Sequence, residues 1–247
     1  MARLTAEVPL DGYRLRSLPS SGGRMVDVGS NLGDQSIAAH LLRPSLQVLA
    51  IEPVPLTYFY LRLNLHLNRV QLLSLADFAH GQRAGVAPLH GAIVARPNAN
   101  ALTVPIRWSS GKSQDAAVDL ASAGGTAPGG AAQMWATSAV PALHLPTLLA
   151  TAGVASIDLL KVDCEGCEYA LFAAADASGR AFDLSDRRRV ARIAMELHVF
   201  LGTANRRRPT LASKAPLPMA RDAERVLRAR GCVASPRARG PGVRVSC

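Results

Sequence analysis

A length of 247 residues, 49% of them apolar, predicts one domain with a sizeable core and excludes a chain that is disordered throughout. No apolar run approaches the roughly 20 residues of a membrane-spanning helix, and the N-terminal segment has no signal-peptide core, so we expect a cytoplasmic protein, with organellar targeting left open. The net charge of +10 is concentrated at one end, because residues 180–247 contain 16 of the 28 Lys and Arg but only 5 of the 18 Asp and Glu. This basic portion is either a solvated face or a docking surface for nucleic acid, anionic lipid or an acidic partner.

Strands and helices alternate along the N-terminal part of the chain. In chain order we predict a strand ending near Asp27, a helix over 33–42, a strand over 46–51, a helix that opens at Pro55 and a strand near 86–94. In the first helix, Ile37, Leu41 and Leu42 are expected to share one face. Alternation of this kind predicts an α/β fold with a mainly parallel, doubly wound sheet.

The alternation breaks over residues 95–140. The stretch "AAVDLASAGGTAPGGAAQ" has low complexity, and we expect a surface insertion near residues 110–135. The remaining predicted elements are a helix at "LPTLLATAG", a strand over Ile157–Val162, a helix at "EYALFAAAD", a strand at "VARIAMELH", a helix ending at Gly231 and a terminal strand pair in "CVAS…GVRVSC". We predict an N-terminal extension over 1–23 and a single domain over 24–247 with a basic C-terminal portion.

The turn after the first predicted strand, "VDVGSNLGD", contains Gly29 and Gly33. Glycine lets the backbone adopt a positive φ and approach a ligand closely. The glycine spacing differs from the G-x-G-x-x-G of a pyrophosphate site, whereas Asp27 and Asn31 suit a cationic, zwitterionic ligand. Glu52, about 20 residues further on, ends the second strand, where a carboxylate can accept hydrogen bonds from ribose hydroxyls. Together these residues predict a site for S-adenosylmethionine.

The segment "DLLKVDCEGCEY" ends a later strand with three carboxylates. Lys161 and Asp163 alternate along the strand, so we predict that both point to one face, at the sheet edge where α/β folds bind ligands. Glu165 and Glu168 are predicted to lie in the first turn of the next helix, where the helix dipole favours acidic residues.

The same segment contains a C-x-x-C pair, Cys164 and Cys167. Four cysteines are few for a disulfide scaffold of this length, which favours a reducing compartment. A zinc site would lack a second pair of ligands, and Glu165 and Glu168 would raise the thiol pKa of a redox pair. We expect both cysteines to be small, buried packing residues.

Taken in order, "VDVGSNLGDQS", "VLAIEPVPLTYFYLRLNLHLN", "IDLLKVDCEGCEYALF" and "IAMELH" resemble the motifs of the FkbM family of S-adenosylmethionine-dependent methyltransferases. The resemblance covers roughly residues 24–200, apart from the insertion. It implies a class I methyltransferase (Rossmann-like) fold, whose seven-stranded sheet ends in an antiparallel pair. It also implies methyl transfer to a hydroxyl of a sugar, lipid or secondary metabolite. Ser30 replaces the usual alanine, and the insertion and the arginine-rich end leave acceptor recognition open.

The resemblance implies roles for individual residues as well. Those expected at the cofactor are Asp27, Gly29, Asn31 and Gly33 near the methionine part and Glu52 at the ribose. Those expected at the methyl-transfer position are Asp163 itself and, on the acceptor side, Lys161, Glu165, Glu196 and His198. His198 is the natural general base, since imidazole titrates near neutrality. Asp163 is the alternative candidate for this role, because it is expected beside the methyl-transfer position. No metal site is predicted.

The sequence leaves two other functions open. A nucleic-acid methyltransferase could dock through the clusters Arg187–Arg189 and Arg206–Arg208, with binding that weakens steeply with salt, although the chain lacks an N/D-P-P-Y segment and an aromatic platform. A non-catalytic interaction module could keep the cofactor fold. A dehydrogenase is disfavoured by the glycine spacing.

Overall fold

The structure is a computed structural model that describes residue 13 and residues 15–95, 102–109, 112–118, 135–164, 166–172, 182–197, 217–236 and 243–247. Two predicted site residues, Glu165 and His198, lie outside this range, as do most of the low-complexity insertion and the cluster Arg206–Arg208.

The described elements alternate as the sequence predicts. In chain order they are β1 (Arg24–Val28), α1 (Asp34–Leu42), β2 (Gln47–Glu52), α2 (Pro55–Leu67), α3 (Leu75–His80), β3 (Gly85–His90), β4 (Ala92–Ile93), β5 (Thr103–Ser109), β6 (Lys112–Val118), β7 (Trp135–Leu143), α4 (Leu145–Thr151), β8 (Ile157–Val162), β9 (Val190–Leu197), α5 (Leu217–Ala229), β10 (Val233–Pro236) and β11 (Val243–Ser246). Two short 3₁₀ helices, Leu15–Ser17 and Ala170–Phe172, precede β1 and follow β8.

The main sheet has seven strands in the order β10-β11-β9-β8-β1-β2-β3. The strands from β9 to β3 are parallel, whereas β11 is antiparallel to both of its neighbours. The direction of the strand order reverses at β1, which lies between β8 and β2. Open α/β sheets bind ligands beside such a switch point, at the carboxyl ends of the strands. The predicted class I methyltransferase fold, with its antiparallel C-terminal pair, is therefore confirmed.

Buried parallel strands show as uninterrupted apolar runs because both of their faces are covered. In β2 every residue is buried, and successive side chains enter different layers. Val48 and Ala50 pack in the cluster that includes residues of α1 and α2, whereas Leu49 and Ile51 pack with residues of α3 and α4. Helices thus cover both faces of the sheet, and the sheet edge remains as the place for a site.

The segment before β1 packs on the domain. Tyr13, Leu15 and Leu18 are buried in the same cluster as residues of α1 and α2. They all fall within the predicted N-terminal extension, 1–23, which therefore contributes side chains to the core.

Several local predictions are corrected by the structure. Leu41 is 61% exposed whereas Ile37 is buried, because the buried residues of α1, namely Gln35, Ser36, Ile37 and Ala39, all come before Leu41. The third predicted strand is split at Gly91, and its second half, β4, leaves the main sheet to pair with β7. Within the interrupted region, β5 pairs with both β6 and β7, and these antiparallel strands were not predicted.

The cysteines also differ from expectation. Cys164 is joined to Cys167 and Cys232 to Cys247, so all four form disulfides rather than free packing thiols. The first pair is separated by three positions in the sequence. The second pair meets because β10 and β11 run antiparallel, which returns residue 247 to the start of β10.

Candidate functional site

The turn between β1 and α1 is built on glycines. Gly29 and Gly33 have φ values of 74° and 88°, and Asn31 between them has a φ of 50°. A Cβ on Gly29 would lie 1.9 Å from the backbone oxygen of Asp163, and one on Gly33 would lie 2.5 Å from Leu61 Cδ1. The positive φ favours glycine at both positions, and at Gly29 the nearby backbone leaves no space for any other residue. The turn is thereby pressed against the end of β8.

Asp27 and Lys161 form a buried ion pair behind this turn. Lys161 Nζ lies 2.9 Å from Asp27 Oδ1 and donates to the backbone oxygen of Gly29 at 3.0 Å. Ser36 Oγ donates to Asp27 Oδ2 at 2.6 Å, so the start of α1 is tied to the same carboxylate. Burial disfavours the charged form of Lys161, but attraction to Asp27 and, after it, to Asp163 outweighs this effect. The pKa of Lys161 is therefore raised, and the amine stays charged. The pair holds the turn in place.

Glu52 ends β2 and reaches across to the turn. Its Oε2 accepts from the backbone N–H of Asn31 at 2.9 Å, and its Oε1 accepts from the N–H of Val54 at 2.9 Å. Each carboxylate oxygen can accept two hydrogen bonds, so one acceptor position remains on each. Burial raises the pKa of Glu52 to about 7, although the two backbone donors oppose the shift. This carboxyl is therefore poised between its charged and neutral forms near neutral pH.

Two further acceptors lie buried near the turn. Asn31 Oδ1 and Gln35 Oε1 accept no hydrogen bond from any residue that the structure describes. An unpaired buried acceptor is costly, which makes each a candidate for a ligand donor. Gln35 was missed by the sequence reasoning, since no motif position marks a residue in the first turn of α1.

Asp163 follows β8 directly at the carboxyl edge of the sheet. Its backbone N–H donates to Val28 O at 2.9 Å, which continues the pairing of β8 with β1. Tyr13 Oη donates to Asp163 Oδ2 at 2.8 Å. Lys161 lies on the same side of β8 as Asp163, since its ammonium is 5.4 Å from the centre of the Tyr13 ring, as the predicted alternation requires. Tyr13 was not predicted, because nothing local in the sequence pairs residues 150 positions apart.

Glu168 is buried, and its carboxylate accepts hydrogen bonds from the backbone of a loop rather than lying at the start of a helix. Its two oxygens accept from the backbone N–H groups of Cys164 at 3.2 Å and Gly166 at 2.8 Å. The prediction that it lies in the first turn of a helix is wrong, because the chain here forms a loop and then the 3₁₀ helix Ala170–Phe172. Its carboxylate stabilises the loop that follows Asp163.

The acceptor-side residues on β9 are described only in part. Glu196 is buried near the end of β9 and is in register with Arg244 of β11. Since Lys161 is in register with Ala194, the ends of β8 and β9 reach the same sheet edge. His198 follows Glu196 by two positions in the sequence and lies outside the described range.

The arginine cluster Arg187–Arg189 lies at the other edge of the sheet. It precedes the amino end of β9, whereas Asp163 follows the carboxyl end of the parallel strand β8. Arg187 donates to the backbone oxygen of Arg230, and Arg188 pairs with Asp186. These arginines are thus remote from the site.

Among the residues that the structure describes, no group of three or more His, Cys, Asp or Glu side chains is placed to hold a metal ion. None of the described helices is both long enough and apolar enough to cross a membrane.

Three solved structures resemble the chain at a distance. A precorrin-6y C5,15-methyltransferase from Geobacter metallireducens GS-15 is 12% identical, with a TM-score of 0.37 over 96% of this chain and 82% of that one. A putative caffeoyl-CoA O-methyltransferase from Staphylococcus aureus is 10% identical, with a TM-score of 0.40 over 98% and 83%. The mitomycin 7-O-methyltransferase MmcR is 11% identical, with a TM-score of 0.37 over 96% and 52%. No curated protein matches the sequence significantly.

The family comparison is more direct. The model of the methyltransferase FkbM domain matches residues 27–231, which include the glycine turn, Glu52 and Asp163. The chain therefore belongs to the FkbM family of methyltransferases, whose methyl donor is S-adenosylmethionine.

Proposed function

We propose that this chain transfers the methyl group of S-adenosylmethionine to a hydroxyl of an organic acceptor, namely a sugar, a lipid or a secondary metabolite. The observation that carries the proposal is the meeting of Glu52, Asn31 and Asp163 around one glycine turn, with Asp163 at the end of β8. One acidic group then serves the donor's ribose and another lies at the sheet edge where an acceptor can enter.

The donor fits the residues that surround the turn. Glu52 has one free acceptor position on each oxygen for the ribose hydroxyls, and it is already held by two backbone donors. Asn31 Oδ1 and Gln35 Oε1 are buried acceptors without a described partner, as a ligand ammonium requires. Gly29 and Gly33 leave the backbone free of side chains at this point. When bound, S-adenosylmethionine supplies an electrophilic methyl group on a cationic sulfur.

Asp27 and Lys161 support the site from behind. Asp27 is fully buried, and its two oxygens face Lys161 and Ser36. We infer that Asp27 acts on the donor through the shape of the turn and that Lys161 is a positioning residue. The ion pair keeps Gly29 and α1 fixed relative to β8, so no reorganisation is needed when the donor binds.

Catalysis also requires that the protein hold an acceptor oxygen in line with the methyl group and remove the proton from that oxygen. Positioning supplies much of the rate of a displacement between two bound groups. The carboxylate of Asp163 can accept a hydrogen bond from the acceptor hydroxyl and attract the cationic centre. His198, just beyond the end of β9, is the proposed base, since an imidazole of ordinary pKa accepts a proton near neutral pH.

Donor binding is tested first, by isothermal titration of the chain with S-adenosylmethionine. Glu52→Ala should weaken binding strongly because it removes both acceptor oxygens, and the more conservative Glu52→Gln should weaken it less, because its amide keeps one acceptor oxygen and replaces the other with an NH2 donor. Glu224→Ala is the matched control, since Glu224 is exposed on α5 and pairs with Arg228. No binding to the folded wild-type chain would refute the proposal and favour a non-catalytic interaction module.

The acceptor class is tested next, with a donor that carries an isotopically labelled methyl group. Parallel panels of hydroxyl, amine and thiol compounds should show transfer to oxygen only. With a true acceptor, His198→Ala should lower kcat much more than it raises KM, by about 10²–10⁴-fold if it is the base. Label on nitrogen or sulfur would overturn the hydroxyl assignment, and an unchanged kcat would remove His198 as the base.

A further inference from the structure

Tyr13 enters the site from a segment that the family match does not include. The match begins at residue 27, whereas Tyr13 lies before β1. The Tyr13 side chain is nevertheless only 8% exposed and contacts a residue 150 positions further along the chain. A contact of this kind between a terminal segment and the proposed methyl-transfer position calls for a functional reason.

The segment is fixed to the domain, so the position of Tyr13 is not accidental. Leu15 and Leu18 are buried in the core beside Tyr13. The guanidinium of Arg43, which follows α1, donates to the backbone oxygens of Leu18 at 3.1 Å and Arg16 at 2.6 Å. Apolar burial and these charged donors together hold the chain where Tyr13 can reach the sheet edge.

The contact itself is a hydrogen bond to a carboxylate. Tyr13 Oη donates to Asp163 Oδ2 at 2.8 Å, the usual length for a hydroxyl donor. Burial, and after it the charge of Asp163, raises the pKa of Tyr13 far above its ordinary value. The phenol therefore keeps its proton throughout the functional pH range and acts as a permanent donor.

Other charged groups face the pair from neighbouring strands. The ammonium of Lys161 on β8 lies 5.4 Å from the centre of the Tyr13 ring, and the guanidinium of Arg244 on β11 lies 5.9 Å from it. Glu196 on β9 opposes ionisation of the phenol. Among the described residues, the Tyr13 side chain that donates to Asp163 thus lies near two cations, Lys161 and Arg244, and one further carboxylate, Glu196. Of these side chains, Tyr13 is the one whose polar group can be removed without changing any charge.

We propose that Tyr13 is a positioning residue for methyl transfer, which holds the ionised carboxylate of Asp163 in one orientation beside the cationic centre of the bound donor. A segment outside the family domain thus completes the site. This inference rests on the proposed function. It adds to it that the preference for the charged donor depends on a tyrosine hydroxyl.

The inference predicts a specific property of donor binding. S-adenosylmethionine is a cation at sulfur, whereas S-adenosylhomocysteine lacks the transferred methyl group and is neutral there; the ribose, the base and the amino acid part of the two ligands are the same. The ratio of their two Kd values therefore reports how well the carboxylate of Asp163 faces the sulfur. The contribution of Glu52 cancels in this ratio, because both ligands have the same ribose. A carboxylate that has lost its hydrogen-bond donor can turn away from the sulfur, which lowers the preference for the cationic ligand.

The experiment compares the wild-type chain with Tyr13→Phe, which keeps the ring and removes only the hydroxyl. Kd values for both ligands are measured by isothermal titration at several pH values near neutrality. The preference for S-adenosylmethionine should be up to about tenfold weaker in Tyr13→Phe at each pH, since tenfold corresponds to about 1.4 kcal/mol and a hydrogen bond to a charged group contributes at least about this much. A ring-fluorinated tyrosine at position 13, a stronger donor, should change the preference in the opposite direction.

Two variants serve as controls. Tyr58→Phe removes a tyrosine hydroxyl that donates to the backbone oxygen of Pro88 at 3.3 Å, and its profile should match the wild type. Asp163→Asn should abolish the preference at every pH, because the charge is gone.

The outcomes separate the two ideas. If the wild type binds neither ligand, the proposed function fails. If it binds S-adenosylmethionine but Tyr13→Phe has the wild-type profile, the inference about Tyr13 is overturned while the proposed function stands. The inference is also overturned if Asp163→Asn keeps the preference, since Asp163 would then not face the cationic centre.

Discussion

Replacement of Lys161 by Met should destabilise the fold strongly at neutral pH. The Lys161 side chain is 3% exposed, and its Nζ lies 2.9 Å from Asp27 Oδ1 and 3.0 Å from the backbone oxygen of Gly29. Methionine keeps the apolar stem but leaves the buried carboxylate of Asp27 with Ser36 as its side-chain donor. Removal of one partner of a buried ion pair costs about 3–5 kcal/mol.

Urea unfolding at neutral pH measures this loss directly. In a thermal melt it corresponds to a fall in Tm of about 10 °C, because each 1 kcal/mol shifts Tm by about 2–4 °C in a chain of this length.

Two further variants complete the test. Arg188→Met removes an exposed pair with Asp186 and should cost less than about 1 kcal/mol. Asp27→Asn combined with Lys161→Met removes both buried charges and should recover part of the loss. If Lys161→Met costs no more than Arg188→Met, the ion pair does not support the turn and the reasoning fails.

Three other predictions follow from the geometry. Gly29→Ala should cost at least about 2 kcal/mol and abolish donor binding, since its Cβ would lie 1.9 Å from a backbone oxygen, whereas Gly22→Ala, at a similar φ with nothing within 4 Å, should bind normally. Burial raises the pKa of Glu52 to about 7 from its ordinary value of 4.5, so its stabilisation is complete below about pH 4.5 and is lost as the pH rises through about 7. The free energy of unfolding of the wild type should therefore fall by up to about 3 kcal/mol over this pH range, and Glu52→Gln should not show this fall. A wild-type free energy of unfolding that does not change over the range would contradict the prediction. Thiol titration without reductant should find no free cysteine, and a reactive thiol would refute the pairing. Replacement of Cys232 and Cys247 by serine, which removes their bridge, should lower the free energy of unfolding in urea by about 3 kcal/mol.

The glycine turn and Glu52 could be located from the sequence because their signals are local. A positive φ at Gly29 and Gly33 requires glycine, and a buried strand that ends in an acidic residue marks the carboxyl edge of a parallel sheet. The prediction that Lys161 and Asp163 share one side of β8 succeeded for the same reason, since side chains alternate along any strand.

The partners of these residues could not be located in this way. The sequence places Lys161 and Asp27 at two strand ends, but only the register of β8 against β1 brings the two side chains together. The predicted role of Glu168 at a helix start failed, because the loop closed by the Cys164–Cys167 bridge turns its carboxylate onto backbone N–H groups. Each of these outcomes depends on the direction of a side chain in a packed interior.

By itself, then, the sequence determined the alternation of strands and helices, the glycine turn and the acidic ends of β2 and β8. Apolar runs, glycine angles and the period of a strand depend on neighbours within a few residues. Tertiary structure alone decided that Tyr13 meets Asp163, that Cys232 pairs with Cys247 and that β5 joins β7. Such contacts join distant parts of the chain and form only after loops have closed, and no local pattern records which segments will meet.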